Sequence, residues 1–252
     1  TLRADIIAGI TVALVLVPQS MAYAQLAGLP VQYGLYASFL PPMVAAIFGS
    51  SRQLATGPVA VVSLMTAAGL EPLVGNSPES FYVYVAILTL MVGAFQMLLG
   101  LFRLGVLVDF LSHPVVIGFT NAGALIIATS QMNKLFGVSV EKAAHHYETV
   151  WRMAEAAWYS THLPTLAMSI FALALMIGVK RFFPSLPSVL FAVVITTVLS
   201  WQMDYAGMGG AIVGKVPSGL PSVSLPQLDI SVFLQLTVTA IVISLVGFME
   251  AI

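Results

Sequence analysis

Three polar features stand where the surrounding sequence offers little but hydrocarbon. In LVLVPQSMAYAQLAGLP, residues 14–30, Pro18 and Gln19 interrupt an aliphatic run, and Tyr23 follows one helical turn later. Proline leaves the carbonyl one turn back without its donor and bends the helix. The Gln19 amide offers a donor and an acceptor beside that break, and Tyr23 shares its face at i,i+4. Such a pair can bind a small polar solute, or it can simply tie a kinked helix to its neighbour.

The second feature is SSRQLATGPVAVVSLMTAAGL, residues 50–70. RQLAT reads as polar and extended, with Thr56 as the expected N-cap and Pro58 in the first turn of a helix. About 13 apolar residues then give about 20 Å of helix at 1.5 Å per residue, short of the roughly 30 Å hydrocarbon core. Extended backbone at membrane depth is tolerated only where protein buries it or water reaches it. A half-helix starting there presents free N–H groups and partial positive charge, enough to hold an anion without lysine or arginine. A tilted or re-entrant helix that serves only packing is the alternative. The third feature is Glu250, the only ionisable residue from Val232 to Ile252. An intramembrane carboxylate is costly unless it faces a cavity or takes up a proton, so it is a functional candidate; the alternative is a helix that ends there, with Glu250 at the interface.

Enzyme chemistry finds little support. His113, His145, His146 and His162 do not form an i,i+4 metal pair, and His145 and His146 are adjacent. No G-x-S-x-G, HExxH, P-loop or dinucleotide fingerprint occurs. With no cysteine, thiol catalysis and thiolate metal sites are excluded. No metal or cofactor is expected.

The elements that must position these residues follow from composition. The chain of 252 residues is 59% hydrophobic and 8% charged, with a mean hydropathy of +1.00. A soluble domain carries roughly 25% charged residues, so this chain must be solvated by lipid. A net charge of −1 leaves no basic face for nucleic acid. Charges and turn signals divide the sequence into eight apolar segments: about Ile6–Ala24, Tyr33–Phe48, Pro58–Leu70 (too short to cross), Phe81–Phe102, Pro114–Leu135, Pro164–Val179, Pro187–Trp201 and Val232–Ile252. This predicts an all-α polytopic membrane protein. A chain that opens on Thr1 and stops inside an apolar run is expected to be part of a longer one. Counting Arg3, Arg52, Arg103, Lys180 and Arg181 on one side against Lys134, Lys142, Arg152 and Lys215 on the other favours a cytoplasmic N-terminus. In the polar connection at residues 137–162, Val150, Met153, Ala154 and Trp158 sit near helical spacing and predict a helix on the membrane surface. Residues 207–229, rich in glycine, proline and serine, read as an extended linker.

The block from Asp5 to Met65, DIIAGITVALVLVPQSMAYAQLAGLPVQYGLYASFLPPMVAAIFGSSRQLATGPVAVVSLM, resembles the first three helices of the SulP family of anion transporters. The likeness resumes at FLSHPVVIGFTNAGALIIATSQM and LVGFMEAI. It implies a UraA-like fold of fourteen segments in two seven-helix inverted repeats, usually followed by a cytoplasmic STAS domain. This chain then holds the first repeat and the start of helix 8, without the second repeat or the STAS domain. Segments 1–4 and 8 belong to a transport core, and segments 5–7 to a gate. The resemblance assigns Gln19, Tyr23, Val59 and Ala60 to anion binding, the last two through first-turn backbone N–H groups, and Glu250 to proton coupling. It implies proton-coupled alternating-access transport of a small inorganic or carboxylate anion, most simply sulfate, by a homodimer in the cell membrane. The alternatives are a nucleobase–proton symporter of the same fold and an uncoupled anion channel or exchanger.

Overall fold

The computed structural model describes residues 2–49, 54, 56–74, 78–104, 113–140, 143, 145–184, 186–220 and 229–251. Regular structure among them is entirely helical: α1 (Leu2–Leu26), α2 (Val31–Phe48), α3 (Ala60–Val74), α4 (Pro78–Leu101), α5 (His113–Phe136), α6 (His146–Ser160), α7 (Leu163–Phe182), α8 (Ser188–Gln202) and α9 (Ile230–Ala251). Five of these, α1, α2, α4, α7 and α9, are long and apolar enough to cross a membrane, and α3 and α8 are shorter apolar helices. Arg52, Lys142, Ile252 and the middle of the linker, 221–228, lie outside the described residues.

The chain divides into two compact units, residues 1–19 with 122–216 and residues 20–121 with 217–252. The division falls within α1, between Gln19 and Ser20, one residue past Pro18, which interrupts that helix's hydrogen-bond ladder.

In the second unit α9 packs on α4 and α3. Leu70, Ile87, Leu88, Met91, Val232, Leu236, Ala240 and Ile243 form its buried core. Lipid tails are as apolar as leucine, so close packing and interhelical hydrogen bonds must hold such helices together, and small residues at the contacts let backbones approach. Ala240, Ser244 and Gly247 provide that surface on α9. Gly69 of α3 lies against Thr239, and Gly247 lies near Val62. As α3 advances from residue 62 to 69, its partner on α9 recedes from 247 to 239, so these two helices run antiparallel. On α2, Gly34 is buried against the Ser20 carbonyl and Ala24 of α1. Between α1 and α2, Gly28 adopts φ +76°, and the Leu29 N–H donates to the Ala24 carbonyl at 2.8 Å. That left-handed turn ends the helix where glycine costs least. Tyr33 and Tyr82 stack at 5.9 Å and join α2 to α4.

In the first unit α7 and α8 pack as a hairpin. Its open end is clamped by hydrogen bonds: His162 Nδ1 to Thr165 Oγ1 at 2.7 Å, His162 Nε2 to the Met208 carbonyl at 2.9 Å, and Thr165 Oγ1 to the Tyr205 hydroxyl at 2.6 Å. The His162 N–H also donates to the Phe136 carbonyl at 3.0 Å, joining the end of α5 to the start of α7.

Asp229 starts α9. Its carboxylate accepts the Ser231 N–H and the Ser231 hydroxyl, each at 2.8 Å, and its carbonyl accepts the Phe233 N–H at 2.9 Å. The Ser231 side-chain bond, then the backbone bond, holds this carboxyl below the usual aspartate range. A depressed folded pKa contributes stability that is present above the unfolded value, about 3.9, and is lost as pH falls through the folded value. Asp229→Ala is therefore expected to destabilise the protein at neutral pH. The gap to wild type should close as pH drops below the aspartate range, as read by thermal unfolding; a gap independent of pH would contradict the cap. Gly34→Ala would drive a methyl into the Ser20 carbonyl oxygen, a backbone atom that cannot rotate away. Overpacking of this kind costs about 1–3 kcal/mol. A wild-type melting temperature for Gly34→Ala would refute this close approach.

Candidate functional site

The short apolar helix of the second feature is present, and it starts later than the sequence suggests. α3 begins at Ala60, with the Ser63 N–H donating to the Val59 carbonyl at 3.0 Å. Val59 therefore takes the capping position in place of Thr56, and Pro58 precedes the first turn instead of lying within it. A residue before proline is pushed out of the helical region, which keeps Gly57 out of the helix, and Pro58 and Val59 are non-helical as well. Valine has no oxygen to offer the first-turn donors. The N–H groups at the start of any helix have no intrahelical acceptor, and the helix dipole adds partial positive charge there. Val59 is part-exposed and Ala60 half-buried. α3 has 15 residues, about 22 Å at 1.5 Å per residue, so it remains short of a span.

α9 carries the other predicted residues' counterpart. Gly247 sits where an added Cβ would meet the Gln96 amide nitrogen at 2.7 Å and Val62 Cγ2 at 3.9 Å. The last turns of α9 thus lie beside the first turn of α3 and the C-terminal part of α4. Glu250 follows Gly247 by three residues, is exposed, and lies within the described helix. Two polar side chains join this region: Gln96 Nε2 donates to the Ser244 carbonyl at 3.5 Å, and the fully buried Ser244 hydroxyl donates to the Ala240 carbonyl at 2.6 Å and the Val92 carbonyl at 3.3 Å.

Gln19 and Tyr23 are both half-buried and lie one turn apart on α1. Gln19 closes the first compact unit, whereas Tyr23, Val59, Ala60 and Glu250 fall in the second. Gln96, Ser244 and Gly247 escaped the sequence reading. Gln96 carried a signal, as the one amide side chain in the apolar α4; by the same logic as Gln19 it needed a polar partner. Gly247 carried none, since a glycine in a membrane helix has many packing roles. Among the described residues no group of histidine, cysteine, aspartate and glutamate is placed to hold a metal ion.

The model of the sulfate permease family matches residues 2–252. The chain belongs to this family. It is 39% identical over 251 residues to a Mycobacterium tuberculosis protein named a probable sulfate transporter, covering 100% of this chain and 44% of that one. It is 38% identical over 232 residues to the chloroplastic sulfate transporter 4.1 of Arabidopsis thaliana, covering 89% of this chain and 34% of that one. The chain thus spans less than half the length of these sulfate permease relatives. Two solved structures share its fold. Murine solute carrier 26 family member A9, an anion transporter in the inward-facing state, superposes with a TM-score of 0.85 at 24% identity, over 96% of this chain and 44% of that one. The transmembrane domain of the cyanobacterial bicarbonate transporter BicA gives 0.82 at 23% identity, over 99% and 64%. The all-helical, UraA-like membrane fold read from the sequence is therefore the fold of this family member.

The contact of α9 with α4 depends on Ser244. Ser244→Ala should cost about 0.5–1.5 kcal/mol for the lost hydrogen bonds. Ser244→Leu should cost more, because the larger side chain lifts α9 off Val92. Equal thermal stability of the two variants would show that the helices do not meet at this residue.

Proposed function

We propose that the protein carrying this chain is a secondary active transporter of a small anion, sulfate first, moved together with protons by alternating access across a cell membrane. The observation that carries this reading is the approach of Gly247 to Val62. That approach puts the carboxylate-bearing end of α9 beside a helix start whose capping residue, Val59, has no side-chain oxygen. Val59 and Ala60 offer backbone N–H groups to the anion, and Gln19 and Tyr23 contribute side-chain hydrogen bonds from α1. Glu250 carries the proton. The names of these relatives, sulfate transporters, support the substrate, and the grouping of α2–α4 with α9 supports a transport core, whereas residues 1–19 of α1 group with α7–α8. A second inverted repeat, supplied by residues beyond this chain, completes the pocket; the working form is a homodimer with a cytoplasmic N-terminus.

Bringing a negative charge into an inside-negative cell costs about 2.3 kcal/mol per charge per 100 mV, and a cotransported proton offsets it. Protonating Glu250 removes a charge that would repel the anion, so proton and anion bind with positive coupling. Loading is favoured at acidic outer pH, and deprotonation inside favours release. In the full-length protein reconstituted into vesicles, Glu250→Gln should retain sulfate binding with weaker pH dependence and lose sulfate accumulation driven by a proton gradient. Wild-type accumulation and pH dependence in Glu250→Gln would assign the proton to another group. Uracil accumulation in place of sulfate would move the protein to nucleobase symport, and sulfate flux without accumulation would make it a channel.

Gln19→Ala tests α1 separately. Loss of one buried hydrogen bond is worth about 1–3 kcal/mol, or about one to two decades in sulfate affinity. Unchanged affinity in a folded Gln19→Ala protein would leave Gln19 a helix-packing residue.

A further inference from the structure

The short helix α6 divides its surface three ways. At about 100° per residue, Tyr147, Trp151 and Trp158 fall within about 40° of one another, and all three are open, at 70%, 74% and 84% exposure. Met153 lies on the opposite side and is 5% exposed, with Val150 half-buried near it. Glu148, Arg152 and Glu155 form the third face, beside the aromatic stripe. The apolar positions Val150, Met153, Ala154 and Trp158 therefore do not act as one face. Val150 and Met153 turn toward the protein, whereas Ala154 and Trp158 join the open stripe. Where stripe and charged face meet, a groove of about 570 Å³ is lined by Tyr147, Glu148, Trp151 and Arg152.

The level of α6 is set by its tethers. The chain leaves α5 at Phe136 and re-enters α7 at Leu163, and these two ends are joined by the hydrogen bond from the His162 N–H to the Phe136 carbonyl. Gly137, with φ +67°, makes the close turn against His162 and Thr165. α6 is thus an excursion that departs from and returns to one point, at the end of an apolar helix long enough to cross a membrane. With 15 residues and three charges it cannot cross itself. Tryptophan and tyrosine favour the headgroup level, where a ring meets both hydrocarbon and water.

We propose that α6 is an interfacial anchor: its Tyr147–Trp151–Trp158 stripe inserts into the lipid headgroup layer, its Met153 side rests on the protein, and its Glu148–Arg152–Glu155 face stays in water. The occupant is the lipid surface itself. The tethers put the stripe at bilayer level, and the adjoining charged face supplies the wet side that a lipid interface requires. This inference rests on the membrane fold alone and is independent of which solute is carried.

Ala154 and Glu155 test it, being neighbours in sequence, both exposed, and on different faces. Single cysteines are introduced at these positions in a cysteine-free form of the full-length protein, spin-labelled, and reconstituted into phosphatidylcholine–phosphatidylglycerol vesicles. Collision with oxygen is then compared with collision with a water-soluble nickel chelate. The Ala154→Cys label is expected to favour oxygen and to read a depth of about 5–10 Å into the headgroup–acyl boundary. The Glu155→Cys label is expected to favour nickel. Equal nickel access at both positions would put the stripe in water. Shielding of the Ala154→Cys label from both reagents would put it under protein, whether a second copy or another partner. Either result overturns the proposal.

Discussion

Hydrocarbon offers a backbone no hydrogen-bond partner, and everything in this chain answers to that constraint. A helix satisfies itself except at its ends and its prolines. Where the chain breaks a helix inside apolar sequence, polar groups or close backbone contacts must be provided. At Pro18 the next residue is Gln19. At Pro58 the helix waits until Ala60 and starts with a valine at the cap. That second break is where a solute can take the place of the missing acceptor, because an anion satisfies several N–H groups at once and the helix dipole favours it.

The same constraint shapes the packing. Since lipid gives apolar side chains no reason to leave it, α3, α4 and α9 are held by close approach, through Gly69, Ala240, Ser244 and Gly247, and by the Gln96 and Ser244 hydrogen bonds. Close approach does more than stabilise. It brings the end of α9 beside the start of α3, so Glu250 and the first turn of α3 come near each other across a sequence separation of 190 residues. On the proposed function, a proton gained on one and an anion held by the other would be coupled electrostatically, with no intermediate required.

How far this was legible follows from the range of each signal. Helix positions rest on local composition, so all eight expected segments recur within a few residues, and α4 extends back to Pro78 because proline is tolerated at the first helical position. α3 starts two residues later than expected: proline keeps Gly57 out of the helix, and Pro58 and Val59 also stay non-helical. The helix between the fifth and sixth segments was found, but its faces were not. Hydrophobic periodicity reports that residues are apolar and is blind to which neighbour covers them, so Met153 and Trp158 looked alike. Gly247 was invisible for the opposite reason, since its role is defined wholly by Val62 and Gln96, residues distant in sequence.

The central claim is that backbone N–H groups at the start of α3 hold the anion. Amide hydrogen exchange at Val59 and Ala60, followed in the reconstituted full-length protein with and without sulfate, tests it most directly. The account predicts that sulfate slows exchange at these amides and leaves those in the middle of α4 unchanged. Exchange at Val59 and Ala60 that is indifferent to sulfate, under conditions where sulfate is bound, would contradict it.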